Sequence, residues 1–271
     1  MKTSEICFKV EKVVNPSIAQ GFATTTENSH AIIGYPTIKG NEVKTELHNC
    51  AERYKLVSNL EIFSELERLF SLNKKTADYE VTIHNIDNVQ FAVDFRFPQF
   101  KALIKKVDEV IAGFTVRNSY NGKWAFSGYL NSYRQICSNG MWGMSRALSV
   151  KNRHTEIVKV AVQTMFLEVI NALEEFETQV VKYELLANAE RQQGWEERLE
   201  EIAKKSGIVK FHDDAKAIAR MEATNLYGGV VNDFVIYNAL NNVLFDNSLN
   251  KKPQDIRAKI DQQIVANLLA N

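Results

Sequence analysis

Apolar and polar residues alternate most clearly between positions 89 and 97. Val89, Phe91, Val93, Phe95 and Phe97 are separated by Gln90, Ala92, Asp94 and Arg96. Side chains on a strand point to opposite faces in turn, so the pattern predicts a half-buried strand. Pro98 has no N–H to give a ladder and is expected to stop it. Tyr79, Val81 and Ile83 predict a partner strand, with 84–88 as the turn between them. A second hairpin is predicted where Phe114, Val116 and Asn118 lead into Asn121-Gly122, followed by Trp124 and Phe126. Asn-Gly supplies the two positive-φ residues of a type I′ turn. Gly128 is a natural place for a bulge, with Tyr129 to Ile136 extended after it. Asn139-Gly140 predicts a further turn, and Met141 to Leu148 a short helix. Upstream, Tyr54 to Val57 reads as a short strand. Ile62, Leu66, Leu69 and Phe70 have the spacing of a helix over 61–72.

The period changes again after Thr155. Val158, Val162, Met165, Val169, Leu173, Phe176, Val180 and Tyr183 recur at steps of three and four, with no Gly or Pro before Gln193. This predicts one long amphipathic helix capped by Thr155 and roughly 50 Å in length. Such a length suits a helix that bridges parts or pairs with another chain. Further helices are expected near 195–206, 213–226, 230–245 and 253–269. Asp213 is placed to cap the second, Gly228-Gly229 to separate the next, and Pro253 to open the last. The expected fold is therefore α+β. An antiparallel sheet of hairpins with helices covers 1–155, and an all-helical half with one long helix covers 156–271.

The 271 residues are 45% hydrophobic and 24% charged, the profile of an ordinary globular protein. Charges interrupt the N-terminal segment, and no window is apolar enough to span a bilayer. The charge-poor stretch from Phe234 to Phe245 contains Asn238, Asn241 and Asn242, which are costly in lipid. Cys7, Cys50 and Cys137 are an odd count without CxxC spacing, which suits a reducing cytoplasm.

The formal net charge of zero conceals a segregation. Residues 110–155 carry six cations and no acid, whereas 156–271 carry a net charge of −5. The cations are Arg117, Lys123, Arg134, Arg146, Lys151 and Arg153. The same block holds seven aromatics, among them Trp124, Tyr129 and Tyr133. Cations that track phosphates, and flat rings on which bases stack, are the two requirements for gripping single-stranded nucleic acid. The plainer alternative is a core hairpin whose rings face inward and whose cations are merely solvated.

Other groupings have simpler explanations. Cys137 and His154 would form a nucleophile pair only if the fold brought them within hydrogen-bond reach. His48 and Cys50 have ligand-like spacing but no second pair to complete a closed metal site. His212-Asp213-Asp214 reads as a loop entering a helix. Glu196, Glu197, Glu200 and Glu201 alternate with Arg198, Lys204 and Lys205 as a solvated face would. No glycine-rich phosphate loop is present. No catalytic residue, metal or cofactor is expected.

Several short motifs occur in order: Glu52-Arg53-Tyr54-Lys55-Leu56-Val57-Ser58-Asn59, then NSYNG at 118–122, YRQICSNGMW at 133–142, NRHT at 152–155, and Tyr237-Asn238-Ala239-Leu240. Together they resemble the phage- and plasmid-borne family known as domain of unknown function 932. The resemblance covers most of the chain after about residue 50. It implies a mobile-element origin and transfers no catalytic residue. Asn121 stands where many relatives have Asp, which disfavours a metal role there.

The expectation is a cytoplasmic, non-enzymatic protein that contacts single-stranded DNA. Arg117, Lys123, Arg134, Arg146, Lys151 and Arg153 would bind phosphate, with Trp124, Tyr129 and Tyr133 stacking. A role in recombination, such as strand annealing, would fit a sheet-based homo-oligomer. The rival is a phage protein-interaction module that binds a host protein through the long helix or the acidic half.

Overall fold

The alternating segment at 89–97 begins a longer strand. In the computed structural model, which describes residues 7–15, 28–87, 89–134, 140–141, 158–246 and 254–270, a small sheet comes first. It is built from β1 (Lys9–Val14), β2 (His30–Tyr35) and β5 (Thr45–Cys50), antiparallel in the order β1-β2-β5. Between β2 and β5 lies a separate two-stranded hairpin, β3 (Thr37–Ile38) with β4 (Asn41–Glu42). Helix α1 (Asn59–Leu72) follows, its first turn capped by Ser58, whose side chain accepts from the Glu61 N–H. A five-stranded sheet then runs in meander order: β6 (Glu80–Asp87), β7 (Gln90–Ile104), β8 (Asp108–Ser119), β9 (Ser127–Arg134) and β10 (Gly140–Met141). The C-terminal half holds α2 (Val158–Glu174), α3 (Phe176–Asn188), α4 (Trp195–Lys205), α5 (His212–Leu226), α6 (Asp233–Phe245) and α7 (Gln254–Leu269). A two-residue ladder pairs β11 (Glu190–Arg191) with β12 (Val231–Asn232). The class is α+β.

Five sequence expectations are corrected. Tyr54 to Val57 is not a strand. Its carbonyls are taken by side chains instead, Lys12 Nζ bonding Tyr54 O at 3.1 Å and Asn118 Nδ2 bonding Val57 O at 2.9 Å. The strand through Phe97 does not stop at Pro98 but runs on to Ile104. The β6 partner register ends at Arg96, so no β6 residue stands opposite Pro98 to need its N–H. The turn expected over 84–88 is shorter, because β6 extends to Asp87, which pairs with Gln90. The long helix is two helices. At Glu175 the backbone tightens, Glu175 N–H bonding Ala172 O at 3.2 Å, and α3 starts afresh. At 1.5 Å per residue the pieces are about 25 and 20 Å long. Asp213 lies inside the first turn of α5 rather than at its cap, where it faces the positive end of the helix dipole. Of the turn expected at Asn139-Gly140 and the helix expected over Met141 to Leu148, Gly140 and Met141 are described and form β10; the rest of both, Thr155 and Pro253 lie outside the described residues.

Two compact units divide the chain. One comprises Met1–Arg96, Phe114–Tyr129 and Ala147–Asn171, the other Phe97–Gly113, Leu130–Arg146 and Ala172–Asn271. Strands β7, β8 and β9 each contribute residues to both, so no single cut in the sequence separates them. The core of the first unit is aromatic. Phe70 of α1 lies 5.0 Å from Phe95 and 6.3 Å from Phe114, and Phe166 of α2 lies 5.7 Å from Phe70. Each fully buried ring of this kind contributes about 1.5–3 kcal/mol. In the second unit α6 is buried on nearly every side, which explains why it carries no charge after Asp233 in its first turn. Its polar residues find partners. Tyr237 Oη donates to Asp261 at 3.2 Å and Asn241 Nδ2 to the same carboxylate at 3.1 Å. Among the described residues no helix is long and apolar enough to cross a membrane.

Candidate nucleic-acid interface

The Asn-Gly hairpin between β8 and β9 is wider than a two-residue turn. Only Gly122 has positive φ, at 68°, and the strands stop at Ser119 and resume at Ser127. Side chains close the loop in place of a ladder. Asn121 Oδ1 accepts from the Lys123 N–H at 3.1 Å, the side-chain mimic of a backbone turn. The Ser119 hydroxyl accepts from Trp124 N–H at 2.9 Å and donates to Trp124 O at 3.0 Å. Lys123 is thereby held exposed at the tip, and Trp124 half-buried beside it.

Below the tip, Arg117 lies against two rings. Its guanidinium carbon is 4.8 Å from the Trp124 centroid and 5.6 Å from that of Tyr129. Arg117 is 7% exposed and Tyr129 9%. This corrects the expectation that both face a polyanion. Their charge and ring are spent on one another, a cation–π contact strengthened by the exclusion of water.

Arg134 is corrected more completely. It is 4% exposed and forms a closed ionic cluster in the second unit. Its Nε donates to Asp108 Oδ1 at 3.0 Å and its Nη2 to the other oxygen of Asp108. Both Nη atoms also reach Glu222, at 3.1 and 3.0 Å. Asn238 Nδ2 donates to Glu222 at 2.9 Å, and Tyr227 Oη to Asp108 at 3.4 Å. Burial opposes the charge on Arg134, but Glu222 and Asp108 hold its pKa above the usual range. Burial raises the pKa of Glu222, with Arg134 pulling the other way. One cation faces two carboxylates, and all three guanidinium nitrogens are engaged with them in the interior. Tyr133, 3% exposed, is also enclosed. It lies over Gly113, where an added Cβ would meet the ring at 2.1 Å, and its hydroxyl accepts from Asn131 at 3.0 Å.

Of the nine residues expected to bind nucleic acid, Lys123 is exposed and Trp124 half-exposed. Arg117, Tyr129, Tyr133 and Arg134 are interior. Arg146, Lys151 and Arg153 lie outside the described residues, as do Cys137 and His154. The other groupings resolve as structure. Cys50 is buried, and burial raises its thiol pKa while lowering that of His48. Glu196, Glu200 and Glu201 each face a cation, respectively Arg220, Lys216 and Lys205. Among the described residues no three His, Cys, Asp or Glu side chains gather as metal ligands.

The motifs nevertheless meet. In the first unit Asn118 of NSYNG donates to Val57 O at 2.9 Å and to Asn59 Oδ1 at 2.8 Å. Asn59 N–H donates to the Tyr120 hydroxyl at 3.1 Å, and the Tyr54 hydroxyl to Tyr120 O at 3.2 Å. The 52–59 and 118–122 motifs thus hydrogen-bond directly to each other through buried polar groups. In the second unit Arg134 and Asn238, from two further motifs, converge on Glu222. No residue outside these motifs had drawn attention to Asp108 or Glu222. Their one sequence signal was that Asp108 stands just ahead of the acid-free block.

Comparison with curated proteins and with solved structures found no match. A family model described as Domain of unknown function (DUF932) matches residues 46–233, a span that takes in the paired 52–59 and 118–122 motifs and both carboxylates around Arg134. With well over half its length so matched, the chain belongs to the DUF932 family.

Proposed function

We propose that this protein binds single-stranded DNA, without chemistry of its own, as a cytoplasmic component of a mobile genetic element. The observation that carries the reading is the β8–β9 tip. There an exposed cation, Lys123, stands next to a half-exposed indole, Trp124, in a 46-residue block that contains no acid. Once the interior arginines are set aside, Lys123 is the cation of the block seen exposed among the described residues, and the reading assigns Arg146, Lys151 and Arg153 to phosphate from the sequence. Absence of acid there removes the repulsion that phosphate would otherwise meet. Strand annealing in recombination, by a homo-oligomer, is the role this binding best fits. Filter binding with oligothymidylate at low and moderate salt is the test. Retention that weakens with added salt supports the reading, because phosphate contacts release counterions. No retention at low salt defeats it.

A second reading has one observation in its favour. The exposed face of α2 carries Val160, Gln163, Thr164, Leu167 and Asn171, uncharged until Glu174 in the last turn. A face of this kind suits a host protein better than a polyanion. Binding of a host protein that survives nuclease treatment and is lost in Leu167→Glu would favour this reading over DNA.

A further inference from the structure

We infer that Trp124 is a stacking site for one unpaired nucleobase, and that Arg117 is its positioning residue rather than a phosphate contact. The inference rests on the single-stranded DNA reading above and specifies how the tip would hold its ligand.

Arg117 and Trp124 lie at opposite ends of one local construction. Arg117 leaves β8 from within the protein, 7% exposed, and lays its guanidinium against the Trp124 ring at 4.8 Å and the Tyr129 ring at 5.6 Å. A planar cation against one face of the indole fixes the tilt of the ring. The main chain at Trp124 is fixed as well, since the Ser119 hydroxyl holds both its N–H and its carbonyl. The rotamer freedom that an exposed tryptophan would lose on stacking is therefore already lost in the unbound protein, which is the advantage of preorganisation. The guanidinium lies against the ring, and the indole as a whole stays half-buried at the loop tip. Lys123, the preceding residue, points its charge outward from a turn set by Asn121 Oδ1. A flat apolar surface with a flexible cation one residue away matches a base and its adjoining phosphate. A base paired within a duplex has both faces covered by neighbours and cannot use such a surface, so the site selects single strands. Arginine suits the inner position because its guanidinium is planar and stacks, whereas an ammonium at the same place is a point charge.

The test separates ring from charge. In a Trp142→Phe, Trp195→Phe background Trp124 is the remaining tryptophan of the three. Quenching of its fluorescence by oligothymidylate then reports stacking, and the salt dependence of affinity reports phosphate contacts. Arg117→Ala is expected to lose most of the quenching and roughly tenfold in affinity, the lower part of the range for one stacked base. Its salt slope should stay that of the parent. Arg117→Lys should fail to restore the quenching. Should Arg117→Ala not fold, two loop variants carry the test instead. Trp124→Phe is expected to bind within about threefold of the parent and Trp124→Leu to lose roughly tenfold, both with unchanged salt slope. The inference is overturned if Arg117→Ala lowers the salt slope as a lost phosphate contact would, if Arg117→Lys binds like the parent, or if Trp124→Leu binds undiminished. A parent protein that binds no oligonucleotide at low salt overturns the DNA reading itself, and the stacking site with it.

Discussion

Truncating Arg134 to alanine is expected to unmake the second unit rather than a binding surface. The guanidinium is the cation that Asp108 and Glu222 share, and all three side chains are interior. Arg134→Ala would leave two carboxylates in a site from which water is excluded. Their remaining donors would be Tyr227 to Asp108 and Asn238 to Glu222. Breaking one side of a buried ionic cluster costs about 3–5 kcal/mol, because the surviving charge is uncompensated. At roughly 2–4 °C per kcal/mol for a protein of this size, the melting temperature should fall by about 10 °C. Neutralising the acids should recover much of the loss. The triple variant Arg134→Met, Asp108→Asn, Glu222→Gln carries no charge to strand, and apolar or neutral replacements of such clusters are commonly tolerated. Thermal and urea melts measure both effects. Oligonucleotide binding, measured below the melting transition, should keep its parental salt slope in the single variant. A variant that melts with the parent yet shows a shallower salt slope would refute the reasoning and return Arg134 to the surface.

Glu222 gives a pH dependence whose sign follows from its shift. Burial raises its folded-state pKa above the ordinary 4.5, so the native state holds the proton more tightly than the unfolded chain. Its contribution is fully present below the ordinary value and is lost as pH rises through the raised one. Glu222→Gln should flatten that decline in urea melts taken at a series of pH values, and an unchanged profile contradicts the assignment. Gly113→Ala should destabilise by about 1–3 kcal/mol, since the new Cβ would meet the Tyr133 ring. Thermal melts check this, and the penalty should shrink when Tyr133→Leu is added. Asn118→Ala removes the donor shared by Val57 O and Asn59 Oδ1 and should cost about 1–3 kcal/mol. A double-mutant cycle with Asn59→Ala should be strongly non-additive, and additive effects would show that the two motifs do not act as one.

What the sequence made legible was what local pattern encodes. The step from period two to period 3.6 places β7, α1 and the C-terminal helices, because each buries a face that its own residues define. The corrections come from partners far away in the chain. Pro98 sits within a strand because β6 ends opposite Arg96, and nothing near residue 98 announces that. The Asn121-Gly122 loop opens because the Ser119 hydroxyl replaces the expected backbone pairing. The acid-free block seemed to hold six available cations because its boundary falls at residue 110. Asp108 lies just outside it, 26 residues before Arg134, and Glu222 lies 88 residues after. A charge balance taken along the chain cannot see a pairing made across the fold. Lys123 and Trp124 were legible because they sit at a loop tip, where sequence position and exposure coincide.

The most direct test is the salt dependence of oligothymidylate binding by the parent protein and by Lys123→Ala. The four phosphate contacts the proposal assigns, to Lys123 and to the sequence-assigned Arg146, Lys151 and Arg153, at about 0.7 each give a slope of about −3 in log affinity against log salt. Lys123→Ala should reduce its magnitude by about 0.7. A parental slope near zero, or one that Lys123→Ala leaves unaltered, would contradict the proposed grip at the β8–β9 tip.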